Sequence, residues 1–157
     1  MDYHVNLNPA AQRAFGLTQV APLAIADRVH HDECDALGHV NNTSYMIWFE
    51  RVRIRFMEHY AIGKLGNPDD PKVAIRSGEI HWMAEMFRDE NYIVTCRCSG
   101  IRRTSMSLQQ SIWSAGRQRA RFDCVMVLLN PDGSGRMPVP DEVRTALEKD
   151  GAVSELG

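Results

Sequence analysis

The stretch Asp32-Glu33-Cys34-Asp35-Ala36-Leu37-Gly38-His39-Val40-Asn41-Asn42-Thr43-Ser44-Tyr45 decides how this chain is read. It follows a weakly alternating run, Leu23-Ala24-Ile25-Ala26-Asp27-Arg28-Val29-His30, that reads as a first strand, and it leads into a long apolar helix. The polar connection between them is an elbow. Asp35 supplies a carboxylate, Gly38 a turn, and Asn41 with Asn42 opens a helix whose first backbone N–H groups have no partner inside it. A base beside such donors suits attack on a carbonyl, because the donors stabilise the oxygen on which negative charge develops.

Downstream of the elbow, residues 42–60 carry Tyr45, Trp48, Phe49, Val52 and Phe56 at helical spacing, which makes one apolar stripe. Ile47 and Ile54 project roughly opposite that stripe, so this helix needs enclosure on more than one side. Residues 61–71, with two glycines, two prolines and two adjacent aspartates, form a loop. Four strands follow, over 73–86, 91–100, 105–113 and 117–129, each with apolar and polar residues alternating. Ala115-Gly116 and Asn130-Pro131-Asp132-Gly133 punctuate them as turns, and 140–149 reads as a short helix. One antiparallel sheet wrapped around one long central helix, an α+β arrangement, satisfies this order, since each strand then has an apolar face for the helix to cover. Residues 1–20 lack periodicity and form an N-terminal arm with one helical turn around 9–15; residues 21–150 form the domain and 151–157 a C-terminal tail.

A chain of 157 residues with 44% hydrophobic content can build one core. Lys and Arg number 18 against 20 Asp and Glu, so a formal charge of -2 gives no electrostatic reason for binding nucleic acid or a membrane surface. No apolar run is long enough to span a bilayer, and none at the N-terminus reads as a signal peptide. Reduced thiols at Cys34, Cys96, Cys98 and Cys124 and a cytoplasmic location are therefore expected. No metal is expected. His30 and His31 point to opposite faces of an extended chain, and Cys96 with Cys98 lacks a second ligand pair.

Three stretches taken in order, the elbow, Tyr45-Met46-Ile47-Trp48-Phe49-Glu50-Arg51 and Arg102-Arg103-Thr104-Ser105-Met106, together resemble the hotdog-fold acyl-CoA thioesterases of the 4-hydroxybenzoyl-CoA thioesterase type. The resemblance spans roughly 25–147, and its best-defined part is an Asp followed by Gly-His-Val-Asn-Asn and an aromatic helix. It implies a hotdog fold and hydrolysis of an acyl-CoA to free acid and CoA without a cofactor. It implies further that Asp35 is nucleophile or general base, with Asp32 a bystander, and that the Asn42 N–H polarises the thioester carbonyl. Arg102, Arg103 and Ser105 would bind the CoA phosphates, a task that guanidinium groups beside a hydroxyl suit. A homodimer or homotetramer is implied as well, with the site at the subunit boundary and Arg102 and Ser105 arriving from the neighbour.

A thioester needs little acid assistance because the thiolate leaves readily. Asp35 could attack the carbonyl and form a mixed anhydride, or draw a proton from the water that attacks. His39 is a candidate for a supporting role, the alternative being a neutral imidazole that bonds the loop backbone and fixes its shape. Related plant acyl-carrier-protein thioesterases alternate Asp, Asn and His through this loop, whereas the middle position here is Leu37. Tyr45, near the helix start, is the aromatic most suited to line an acyl channel, and Glu50 is a second carboxylate. Arg117, Arg119 and Arg121 alternate along one strand and read as a solvated sheet face, with an extension of the basic surface as the alternative. Where many relatives carry Pro-Ala and then Gly-Asp, this chain has Glu85-Met86 and Arg88-Asp89-Glu90, so the hairpin there differs. Two other readings remain: a non-catalytic acyl-CoA-binding or sensing module, and hydrolysis of acyl-carrier-protein thioesters.

Overall fold

A computed structural model describes residues 1–155; residues 156 and 157 of the expected C-terminal tail lie outside the described residues. The elements run α1 (Pro9–Phe15), β1 (Leu23–Arg28), a 3-10 turn (His31–Glu33), α2 (Asn42–His59), β2 (Lys72–Trp82), β3 (Asn91–Ile101), β4 (Ser105–Ser114), β5 (Arg117–Leu129), α3 (Asp141–Lys149) and β6 (Val153–Ser154). The strand, long helix, four strands and short helix read from the sequence are all present. The strand order is β1-β3-β4-β5-β2 in an open sheet, with β1 antiparallel to β3 and Leu23 facing Cys96. The short β6 pairs in parallel with β3 at Gly100 and Ile101. This is the α+β hotdog arrangement.

The chain divides into two compact units. The first comprises Met1–Val52, Ile80–Cys96 and Gln110–Phe122; the second comprises Arg53–Glu79, Arg97–Gln109 and the chain from Asp123 onward.

In the first unit the α2 stripe is buried at Tyr45, Trp48, Phe49 and Val52. Trp48 stacks on Tyr92 with centroids 4.2 Å apart, and Phe49 meets Phe122 at 5.6 Å. Each ring so enclosed contributes about 1.5–3 kcal/mol of hydrophobic stabilisation. Buried Gln110 donates from Nε2 to the Phe49 carbonyl at 2.8 Å. The arm forms a second layer. Its Tyr3, Leu7, Phe15 and Leu17 pack with Ala24, Ala26, Ile93 and Trp113, and its backbone bridges to β1 at Ala26 and Ile25. As a result β3 is buried on both faces from Tyr92 to Cys96, rather than on alternate residues as the sequence suggested.

In the second unit α2 continues with buried Phe56 and Met57, and Tyr60, just past its end, is buried as well. The helix stops where Ala61 turns left-handed at φ 54°, with the Ala61 and Ile62 N–H groups returning to the carbonyls of Glu58 and Met57. The Tyr60 hydroxyl donates to Asp150 Oδ2 at 2.6 Å, and α3 buries Val143 and Leu147.

β2 departs from expectation. Almost every residue from Lys72 to Trp82 is exposed, Ile75 and Trp82 included, because this outermost strand has neither face covered by its own chain. Met46 and Ile47 on α2 are likewise bare. Among the described residues no helix is long and apolar enough to cross a membrane.

Candidate functional site

The elbow is built around Glu33, a residue that sequence reading passed over. Its backbone carbonyl accepts from the Asn41 N–H at 2.8 Å and the Ser44 hydroxyl at 3.0 Å. Its carboxylate accepts from the His30 N–H at 2.8 Å and from Trp48 Nε1 at 2.9 Å, with the Arg51 guanidinium 3.9 Å away. With its side chain only 13% exposed, Glu33 ties the end of β1 to the first turns of α2. One signal pointed this way: a buried Trp needs an acceptor, and the acidic elbow that leads into its helix supplies carboxylates.

Between Cys34 and Val40, which bridge each other, the chain makes a tight hairpin. The Asp35 N–H donates to the His39 carbonyl at 2.8 Å and the Gly38 N–H to the Asp35 carbonyl at 3.1 Å. Gly38 closes the three-residue loop at φ 84°, a conformation that disfavours any residue with a Cβ. Asp35 also stabilises the turn, since its Oδ1 accepts from the Leu37 N–H at 2.9 Å. A third strand joins through the His39–Phe87 bridge and a Val40 N–H bond to the Met86 carbonyl at 2.8 Å. Residues directly opposite in antiparallel pairing share a face, so Asp35, His39 and Phe87 form one row. His39 Nδ1 lies 3.4 Å from Glu85 Oε1, and its ring meets Phe87 edge-on at 5.3 Å. His39 is half-buried, whereas Asp35 is exposed in the single chain.

Asn41 caps α2. Its Oδ1 accepts from the Thr43 N–H and hydroxyl at 2.9 and 2.8 Å, and its carbonyl takes the Ser44 N–H. The cap does not use the Asn42 N–H, which sits at the first, exposed helical position where the helix dipole is positive. The elbow thus gathers Asp35, His39 and Asn42 into one short segment.

Tyr45 sits differently from those three. Its side chain is buried against Trp48, with ring centroids 5.2 Å apart, and burial pushes its phenol up to about 12, opposed by the nearby Arg119 charge. That arginine corrects another expectation. Arg119 is itself buried, donating to the carbonyls of Ser114 and Glu85 and lying 3.5 Å from Glu90, so the alternating Arg117, Arg119 and Arg121 do not make a continuous basic surface. Glu50 is exposed on α2.

In the second unit, Arg102 and Arg103 are exposed but Ser105 is buried. The hydroxyl that Arg102 reaches is that of Ser107, at 3.3 Å, and its guanidinium pairs with Glu155 at 3.1 Å. The Arg103 carbonyl accepts from the Val139 N–H at 2.8 Å. No group of three His, Cys, Asp or Glu side chains suited to hold a metal ion occurs among the described residues.

The family model of the thioesterase-like superfamily matches residues 29–147. This chain belongs to that superfamily. It is a thioester hydrolase, as the resemblance implied. The crystal structure of a thioesterase superfamily protein from Jannaschia sp. CCS1 is similar at 33% identity, with 99% of both chains covered and a TM-score of 0.91, so its likeness includes the N-terminal arm that the family model leaves out. A thioesterase from Thermus thermophilus, complexed with coenzyme A and Zn, shares the fold at 22% identity over 83% of this chain and 95% of that one, with a TM-score of 0.74. A hypothetical protein from Staphylococcus aureus in complex with CoA shares it at 14% identity over 82% of each chain, with a TM-score of 0.74. A comparison with curated protein sequences finds no match.

Proposed function

We propose that this thioester hydrolase acts on acyl-CoA, releasing free acid and CoA, with Asp35 as base or nucleophile and the Asn42 N–H polarising the carbonyl. The observation that carries the reading is the elbow itself: an exposed carboxylate on a rigid hairpin that leads into a capped helix whose first N–H the cap leaves over. Donors at such a position are worth about 10²- to 10³-fold in rate. Coenzyme A in two structures of the same fold supports the substrate class. In this reading His39 assists, Tyr45 backs the acyl site, and Arg102 and Arg103 meet the CoA phosphates, with Ser107 rather than Ser105 as the accompanying hydroxyl.

The reading treats residues 21–150 as one hotdog domain in a cytoplasmic homo-oligomer. Four cysteines, none of them in a disulfide, fit a reducing compartment. A second copy fits the bare β2 and the exposed Ile47, since a long unprotected edge with apolar residues favours strand pairing. It would also shield Asp35 from bulk water. Sedimentation of the purified chain tests this part, and a monomer at micromolar concentration would contradict it.

Asp35 also has a structural task in its own turn, so its chemical role is tested by turnover rather than by folding. A panel of short, long and aromatic acyl-CoAs, assayed for thiol release with calorimetry alongside, tests the substrate class. Turnover of at least one thioester supports hydrolysis of acyl-CoA; tight binding without release from any of them contradicts it. Hydrolysis confined to acyl-carrier-protein thioesters would move the substrate assignment instead.

A further inference from the structure

Glu85 lies in the connection between β2 and β3, and the structure gives its side chain one specific neighbour. Its Oε1 lies 3.4 Å from His39 Nδ1, while its carbonyl is held from below by the Arg119 guanidinium. The antiparallel pairing of Phe87 with His39 fixes the strand from which Glu85 projects, and the Phe87 ring meets the imidazole edge-on. Asp35 lies across the hairpin from His39, on the same face. His39 is therefore an imidazole on a three-stranded platform, on the face it shares with Asp35, with its Nδ1 side facing the Glu85 carboxylate.

We propose that Glu85 is a positioning residue for His39: from 3.4 Å its carboxylate draws the Nδ1–H toward itself, holding the neutral ring in one tautomer and leaving the Nε2 lone pair as a proton acceptor on the face shared with Asp35. A carboxylate on one ring nitrogen fixes the state of the other, which is how orienting acids act in triads and around metal-bound histidines. The proposal rests on the acyl-CoA reading above for its chemical use. In hydrolysis the water O–H bond breaks, an O–C bond forms, the C–S bond breaks and the sulfur ends protonated. Where Asp35 attacks, Nε2 takes the proton of the water that later frees it; where Asp35 draws the proton from water, it passes that proton to Nε2; in both routes Nε2 then delivers it to the leaving sulfur. Nothing is oxidised or reduced, and no further reactant is consumed.

Glu85 has a side chain 64% exposed, so its replacement leaves the core untouched. The test uses ring ¹⁵N NMR of the full chain at a pH where histidines are neutral, comparing wild type with Glu85→Ala and Glu85→Gln. The expected result is a wild-type His39 in the Nδ1–H form that reverts in Glu85→Ala to the Nε2–H form preferred by free histidine, with Glu85→Gln intermediate because its amide oxygen can still accept. Kinetically, Glu85→Ala should lower kcat by about tenfold with KM nearly unchanged, since an orienting group acts after binding. An Nε2–H tautomer in the wild type, or the same tautomer in all three proteins, overturns the proposal. The tautomer is read without substrate, so a chain that shows it yet releases no thiol from any acyl-CoA would defeat the proposed function and leave the Glu85–His39 pairing standing.

Discussion

Asp35 and Arg102 are both charged and exposed, yet the chain treats them in different ways. Arg102 has partners from its own fold: Glu155 at 3.1 Å and Ser107 at 3.3 Å, with the Arg102 carbonyl accepting from Arg144 at 2.8 Å. Asp35 has no cation among the described residues and accepts one backbone N–H through one oxygen. The elbow beneath it is held by the buried Glu33 network and by the Asn41 cap, so the carboxylate is fixed without being neutralised. An internally paired arginine is a site that must exchange partners to bind a phosphate, at a cost of about 1 kcal/mol or less for an exposed pair. An unpaired carboxylate on a rigid platform is a group held available for something outside the chain.

If that contrast is right, the largest effects of substitution belong to the elbow. Asp35→Ala removes both the charge and the acceptor for Leu37; kcat/KM should drop about 10²- to 10⁴-fold, and a denaturant titration should show a loss of about 1 kcal/mol from the turn. Glu33→Ala strikes the support: with the His30 N–H and the buried Trp48 Nε1–H left unsatisfied, thermal or denaturant unfolding should report a loss of about 3 kcal/mol. A stability unchanged in Glu33→Ala would mean that the elbow is held some other way. Arg102→Ala should raise KM for acyl-CoA about fivefold at low salt, with kcat unaffected, as expected of an exposed phosphate contact. Smallest of all, Glu155→Gln should lower KM by about twofold by releasing Arg102, and added salt should erase the difference. A large kcat effect from either change in the Arg102 region would dissolve the distinction between the two regions.

Much of the architecture could be read in the sequence because it follows from period alone. The α2 stripe and the alternation of Met106, Leu108 and Ile112 or of Phe122, Cys124 and Met126 depend only on residue type and spacing. The elbow was legible for the same reason, since its turn and cap residues act on neighbours two or three positions away. What escaped depends on partners far along the chain. Glu33 matters because Trp48 lies beneath it, Arg119 is buried because three acceptors of the 85–90 and 114 regions converge on it, and Ser105 turns inward where Ser107 turns toward Arg102. The arm escaped for a related reason: Leu7, Phe15 and Leu17 pack one by one onto β1 and β3, which leaves no periodic trace. The bare faces of β2 could not be anticipated either, because a strand that alternates on paper does not announce which of its faces its own chain will cover.

The most direct measurement is thiol release by Asp35→Asn against the best acyl-CoA, taken together with its melting curve. Asparagine keeps an oxygen for the Leu37 N–H and so retains the hairpin while losing the carboxylate. The account predicts wild-type stability with turnover nearly abolished; a folded Asp35→Asn protein that turns over at the wild-type rate would contradict it.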